Sequence, residues 1–273
     1  MVKMMETIRR RRSVRTFDGS TLRDEDRKKI LEFAEKVENP YDLPITWKIL
    51  EAKRYGLNSP VIVGCDVYIA GKMMRALHAE EAFGYTFEKI VLFAESLGIG
   101  TTWIAGTMNR DAFERAMAVS SDEVMPCVSP LGYPSRKMSV REALMRKGVG
   151  ADSRLEFGEL FFDEVYGRAL AKEKAGGLTD ALEAVRLGPS AVNKQPWRVI
   201  LSGDKVHFYE KHSKGFVSEK WDTQKIDMGI ALCHFELVAR ESGYSVCFEV
   251  ADPGLPVADD AEYIASFSLS RSE

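Results

Sequence analysis

The feature that most constrains this chain is an internal repeat. Residues 30–52 read ILEFAEKVENPYDLPITWKILEA, and residues 181–203 read ALEAVRLGPSAVNKQPWRVILSG. Each is an amphipathic segment, a loop with Asn and Pro, and an extended run led by Trp. Leu31 aligns with Leu182, and Trp47 with Trp197. A second pair lies at nearly the same offset. In YTFEKIVLFAESLGIGTTWIAG (85–106) and IDMGIALCHFELVARESGYSVCFEVAD (226–252), a long helical pattern stops at Glu-Ser and then a glycine, Gly98 or Gly243. VMPCVSPLGYP (124–134) and YIASFSLSRSE (263–273) form a third, strand-like pair. Three pairs in one order imply two related halves, 1–154 and 155–273. Alternating helices and short strands imply an α+β fold.

Local patterning fills in the elements. Ile30, Phe33, Ala34 and Val37 fall at i, i+3, i+4, i+7, and Thr21 with Asp24 reads as a capping box before them. Asp180 and Glu183 can cap the counterpart in the same way. Phe87, Ile90, Val91, Ala94 and Leu97 form one apolar stripe, whereas the helix carrying Ile226, Ile230, Cys233 and Leu237 is apolar on nearly all sides. That helix is expected to be central and buried, which makes His234 a core histidine rather than a base. Trp197, Val199 and Leu201 alternate as a strand does, and Val206 and Phe208 resume the pattern after the turn Ser202-Gly203-Asp204. Ala175-Gly176-Gly177 is the expected flexible connector. Residues 53–84 fit either a cover or ordinary core: Met73, Met74, Leu77 and Phe83 serve both readings.

Composition removes several function classes. With 38 Lys+Arg against 41 Asp+Glu, the net charge of -3 gives no bulk electrostatic case for nucleic acid. Only the basic run at 9–12 keeps open a local nucleic-acid arm. Cys65, Cys127, Cys233 and Cys247 stand far apart with no C-x-x-C pair, and there are four histidines, so a zinc set is not expected. Each cysteine lies in an apolar stretch and reads as a small buried hydrophobe of a reducing compartment. No run approaches the ~20 apolar residues of a membrane helix, and the basic start leads into no apolar signal region. A soluble, cytoplasmic protein without a membrane partner is expected.

Three segments carry the polar chemistry. RRRRSVRTFDG (9–19) crowds like charges, which is costly without a nearby anion; it reads equally as a phosphate clamp or as a solvated basic terminus. LGPSAVNKQPW (187–197) packs turn-forming Pro, Ser, Asn and Gln directly after a helix, and such groups also read the edge of a planar heterocycle. SPLGYPSRKMSVREAL (129–144) ends a strand, turns, and then presents Arg136 and Lys137.

Together these segments resemble the nitroreductase family of flavoproteins. The motifs are R-R-S-x-R-x-F at 11–17, L-G-x-G-T-x-W at 97–103, L-G-Y-P with basic residues after it at 131–137, and P-S-x-x-N-x-Q-P-W at 189–197. Ordinary members are homodimers with FMN at the subunit interface. Here the two halves resemble the two subunits, and their losses are complementary. The first half keeps the basic segments but has VENPYDLPITW in place of the edge loop; the second keeps the loop but lacks an R-R-S-x-R start. The resemblance therefore implies a single-chain pseudo-dimer, a monomer with one FMN. It further implies that Arg11, Ser13, Arg136 and Lys137 hold the phosphate with Arg12 nearby. Arg15 is implied to reach the ring near N1 and the C2 carbonyl, and Ala105 and Gly106 to offer backbone N–H groups near N5 and O4. Pro189, Ser190 and Asn193 would cover the opposite edge, with Gln195 in support and Trp197 in the core.

The implied activity is that of an FMN-dependent oxidoreductase passing a hydride from NAD(P)H to a small electron-poor acceptor such as a nitroaromatic or quinone. No protein acid or base is required, because the flavin does the chemistry. A flavin-binding sensor or scaffold without turnover is the alternative, and a dehalogenating or flavin-fragmenting relative is a third reading. Leu97-Gly98-Ile99-Gly100 is not a dinucleotide fingerprint, since it lacks the continuing glycine and the downstream acid.

Overall fold

A computed structural model describes residues 3–271 as two compact units. One comprises residues 10–151; the other comprises residues 3–9 together with 152–271. Helix α1 (Met4–Arg10) therefore belongs almost wholly to the C-terminal unit, whereas the sequence division placed it in the first half. The cause is at its N-terminus. The backbone N–H groups of Met4 and Met5 donate to the Glu241 carboxylate at 2.7 and 3.3 Å, and Met5 and Ile8 are buried. An anion satisfies helix-start donors that have no partner within the helix.

The N-terminal unit runs α2 (Asp24–Lys36), β1 (Ile45–Glu51), α3 (Ala52–Tyr55), β2 (Val67–Met74), α4 (Ala79–Ser96), α5 (Arg110–Met117), β3 (Glu123–Val124), β4 (Val128–Pro130) and α6 (Val140–Gly148). Its sheet is antiparallel, with β2 paired to β1, β3 and β4. On one face Trp47 meets Phe83 and Phe87 at 5.3 and 5.0 Å between ring centroids. Its cross-strand partner is Gly71, where any Cβ would collide with the indole ring. On the other face Leu50, Tyr68 and Val128 pack with Phe113 and Met117 of α5. Residues 53–84 supply the central strand β2 and the start of α4. Met73 and Phe83 are core, while Met74 and Leu77 lie exposed in and after the strand.

The C-terminal unit continues with α7 (Phe157–Leu160), β5 (Phe161–Asp163), α8 (Lys172–Ala175), α9 (Thr179–Leu187), β6 (Trp197–Ser202), β7 (Lys205–Lys211), α10 (Thr223–Glu241), β8 (Tyr244–Glu249) and β9 (Ala261–Arg271). The strand order is β5-β6-β7-β9-β8, parallel between β5 and β6 and antiparallel elsewhere. Phe235 of α10 meets Phe208 and Phe267 of the sheet at 5.5 and 5.4 Å. As its sequence implies, α10 is buried along most of its length, and Trp197 is wholly inside.

The repeated features have matching geometry within each unit. Helices α4 and α10 both pass through a non-glycine cap residue into a left-handed glycine, Gly98 at φ 76° and Gly243 at φ 83°. A side chain is disfavoured in that conformation, so the Glu-Ser-x-Gly or Glu-Ser-Gly stop is a backbone requirement. Beyond these stops the units diverge. Gly243 leads into strand β8, whereas Gly98 leads only into isolated bridges, Gly100 to Gly132 and Ile104 to Val128. The third repeat likewise pairs two short strands with the long β9; its last residues, Ser272 and Glu273, lie outside the described residues.

Several expectations are corrected. Helix α2 starts at Asp24 behind Arg23 without a side-chain cap, and Thr21 takes no part. The Asp26 carboxylate instead accepts from Tyr133 Oη at 2.6 Å. In α9, Asp180 lies near Arg9 and Glu183 binds Arg186; neither caps the helix. Ala175-Gly176-Gly177 is not a connector, because Ala175 is buried and a Cβ at Gly177 would fall 2.5 Å from Tyr244 Oη. Helix α4 is no simple amphipath: Glu81, Thr86 and Glu88 are buried along with its apolar stripe. All four cysteines are free thiols; Cys127 and Cys233 are buried, but Cys247 is exposed on edge strand β8. Burial pushes the Cys65 thiol up to about 11, although two carbonyl oxygens lie 3.3 Å from its Sγ. Among the described residues no helix is long and apolar enough to cross a membrane.

Candidate functional site

Three of the four motif segments are brought together in the N-terminal unit by backbone hydrogen bonds. Val14 N–H donates to Thr101 O at 2.8 Å, Gly100 N–H to Gly132 O at 2.8 Å, and Ser135 N–H to Thr16 O at 3.0 Å. Residues 13–17 therefore run beside 100–104 on one flank and 133–135 on the other. Ser139, the N-cap of α6, donates its N–H to Thr16 Oγ1 and accepts from Glu142 N–H, which ties the helix carrying Glu142 to the same place.

Each member of the arginine run has a carboxylate nearby. Arg9 is 3.9 Å from Asp180, Arg10 3.6 Å from Glu95, Arg11 3.7 Å from Glu88 and Arg12 3.3 Å from Glu142. The repulsion that makes such a run costly is thus offset residue by residue, and the run is not a free basic arm. The pairs differ in kind. Arg9 and Asp180 are 58% and 65% exposed, so the pair contributes little in solvent. The side chain of Arg11 is 5% exposed and that of Glu88 is 0%. At 3.7 Å their attraction is Coulombic, without a hydrogen bond. Arg11 Nε and Nη1 are buried and have no hydrogen-bond acceptor among the described residues. Buried donors left so are unusual and costly, and they mark capacity for a further acceptor.

Arg15 is half-buried. Burial draws its pKa down, Glu142 opposes that shift, and Arg146 adds to it. Ser13 is partly buried and bridged to Thr101. Arg136 and Lys137 stand exposed just beyond the 133–135 segment. Ala105 O is taken by Arg110 Nη2 at 2.5 Å, and Gly106 has open space where a Cβ would stand. Trp103 Nε1 donates to Glu88 Oε2 at 3.0 Å, which links the 100–106 segment to the carboxylate beside Arg11.

The fourth segment, 188–196, belongs to the C-terminal unit. Its backbone enters the left-handed region at Val192, Asn193 and Gln195, with φ 51°, 57° and 51°. For non-glycine residues this costs about 1–3 kcal/mol each and persists only where the surroundings impose it. Four contacts impose it. Asp227, buried in α10, accepts from Ala191 N–H with its two oxygens at 3.1 and 3.0 Å. Burial pushes the Asp227 carboxyl well above the usual carboxylate range, and Glu210 and Asp222 add to the shift. Ser190 Oγ accepts from Gln195 N–H at 2.8 Å, and Gln195 Oε1 accepts from Leu155 N–H at 3.0 Å. Asn193 Nδ2 donates to Ser153 O at 3.1 Å. The side chains of Asn193 and Gln195, expected to read or support a ligand edge, thus hold residues 153–155, while Pro189 and Ser190 are partly buried. His234 is buried with Nδ1 2.7 Å from Ala184 O, a satisfied core histidine as expected.

Sequence reasoning passed over Glu88, Glu142 and Asp227. For Asp227 a signal existed: an acid inside a run already recognised as apolar on nearly all sides. Glu88 would have stood out the same way had α4 been recognised as buried all round.

Comparison with known proteins adds to this geometry. A family model described as "Putative TM nitroreductase" matches residues 3–239. Among solved structures, a "putative nitroreductase" of Thermotoga maritima is 20% identical, with a TM-score of 0.62 over 98% of this chain and 93% of its own. That likeness shows a shared fold. A nitroreductase of Desulfovibrio desulfuricans, titled as a complex with FMN, is 21% identical at a TM-score of 0.41, covering 51% of this chain and 94% of its own. An "FMN-dependent Nitroreductase" of Clostridium difficile R20291 is 18% identical at 0.41, covering 52% and 94%. No curated protein matches the sequence.

Proposed function

We propose that this chain, which belongs to the nitroreductase family, works as an FMN-dependent oxidoreductase that passes a hydride from NAD(P)H to a small electron-poor acceptor such as a nitroaromatic or quinone. FMN, when bound, supplies hydride transfer at its N5. The observation that carries the reading is Arg11: a buried guanidinium whose Nε and Nη1 have no acceptor among the described residues, close in sequence to a serine whose segment is laced to two others. An anionic group with several acceptor oxygens matches those donors, and a phosphate is the part of FMN with that chemistry.

In this reading Arg11, Ser13, Arg136 and Lys137 hold the phosphate, with Arg12 nearby. The exposure of Arg136 and Lys137 lets them close on it from solvent. Arg15 supplies a cation to the pyrimidine edge of the ring, where it favours the reduced, negatively charged form. Ala105 and Gly106 offer backbone N–H groups, and the open space at Gly106 permits close approach. Pro189, Ser190 and the left-handed backbone at Val192, Asn193 and Gln195 give the opposite edge its shape; Asn193 and Gln195 act by keeping that shape. One FMN per chain is inferred from the complementary sequence losses of the two halves, and so is a monomer.

The test is a visible absorption spectrum of the purified chain, then heat release and quantification of the flavin. The expected result is one FMN per chain, bleached anaerobically by NADH or NADPH and restored by a quinone or nitroaromatic. Two FMN per chain would refute the single-site assignment. A colourless protein that takes up no added FMN would refute the function. Bound flavin that neither NADH nor NADPH bleaches would leave a binding protein without turnover.

A further inference from the structure

We propose that Glu88 is the resident counter-ion of Arg11, compensating its charge while the anion site is empty and yielding that role when a phosphate binds. The proposal rests on the function proposed above.

The argument starts from cost. Glu88 lies wholly buried in α4, on a helix whose buried residues are mostly apolar. A buried carboxylate persists only with a charge partner and hydrogen bonds. Glu88 Oε2 accepts from the Trp103 indole at 3.0 Å, and Oε1 stands 3.7 Å from Arg11 Nε. A structural arginine–carboxylate pair closes into a two-pronged contact near ~2.7–2.9 Å. This one stays open, and Nε and Nη1 keep no hydrogen-bond acceptor among the described residues. Glu88 therefore neutralises the guanidinium without consuming its donors. A phosphate oxygen can take a donor that Glu88 leaves open, such as Nη1, and Arg11 is then shared between two anions. Glu88 accordingly stabilises the empty site and opposes the filled one. Its removal should destabilise the empty protein and tighten the binding of phosphate-bearing ligand.

Glu88→Gln is the informative variant, because the amide carbonyl still accepts the Trp103 N–H while the charge is gone. Flavin-free full-length protein and the variant are compared by thermal melting and by FMN titration. The expected result is a lower melting temperature for the empty variant, a larger rise on adding FMN, and a Kd for FMN lower by on the order of tenfold. A merely structural Glu88 would lower the melting temperature with and without FMN alike and leave Kd unchanged. An unchanged or weaker Kd overturns the proposal. If the wild-type chain takes no FMN, the function proposed above fails separately. The same pair is then titrated with inorganic phosphate, and equal affinities overturn the proposal. If Glu88→Gln does not fold, the charge-free pair Arg11→Leu with Glu88→Leu replaces it. That pair should melt close to wild type and lose phosphate-dependent stabilisation; retained stabilisation overturns the proposal.

Discussion

The arginine segment at 9–15 and the loop at 188–196 carry the most recognisable motifs of the chain, yet they treat their polar groups in opposite ways. In the loop the polar side chains are committed to holding a strained backbone. Ser190 takes Gln195 N–H, Gln195 takes Leu155 N–H, and Asn193 donates to Ser153. In the arginine segment Arg11 is buried and charged, and still has donors with no acceptor among the described residues. A motif residue can thus act by contact or by shape, and the presence of spare hydrogen-bonding capacity tells the two apart.

Substitutions in both regions sharpen or break that contrast. Arg11→Gln combined with Lys137→Ala should lower FMN affinity by about a hundredfold or more, since two charge-assisted contacts are lost. Asn193→Ala in the same titration should change it by less than about threefold, because its side chain is already committed to Ser153. Equal losses would erase the distinction between the regions. Gln195→Ala should cost about 1 kcal/mol of stability in denaturant unfolding, because Leu155 N–H loses its acceptor in a part-buried setting. A variant as stable as wild type would show that the loop does not depend on this contact.

Asp227→Asn should act on the pH dependence of stability. The folded carboxyl has its pKa raised, so the native state holds a proton that the unfolded chain releases. Stability from this group is fully present below the unfolded carboxylate pKa and is lost as pH rises through the raised folded one. Asparagine removes the titration, and unfolding curves across mildly acidic to neutral pH should show a flatter profile. An unchanged slope would place the proton elsewhere. The smallest effect is expected from Arg9→Ala, within about 0.5 kcal/mol, because its pair with Asp180 is exposed and 3.9 Å apart. A large loss would contradict the division of the run into solvent-screened and buried members.

Much of the architecture was legible because periodicity and backbone chemistry write themselves into sequence. The strand at Trp197, the hairpin at Gly203, the buried helix carrying His234 and the paired helix stops at Gly98 and Gly243 all come from local pattern. What escaped depends on partners distant in sequence. Thr21 with Asp24 looks like a capping box, but helix α2 starts behind Arg23 without a side-chain cap. Gly176 and Gly177 look like a hinge, but Gly177 is there because Tyr244 leaves no room. Motif spacing pointed to the arginines, while the carboxylates beside them come from α4, α6 and α9, and no local rule connects those positions. Asn193 and Gln195 were expected at a ligand edge on residue type alone, and their hydrogen bonds give them another role.

The hydrogen bonds from Met4 and Met5 to Glu241 join residues 237 and 236 positions apart. In topological terms the C-terminal unit is interrupted after residue 9 and resumed at 152, with the whole of 10–151 inserted between. The chain passes from one unit to the other twice, so no single cut releases both. A break at 151/152 leaves α1 on the fragment that has no use for it, and the C-terminal fragment loses the groups that meet Glu241. During synthesis α1 emerges well before α10, the helix that carries Glu241. Docking α1 on Glu241 closes a long loop, and that closure costs less entropy when the inserted unit is already folded.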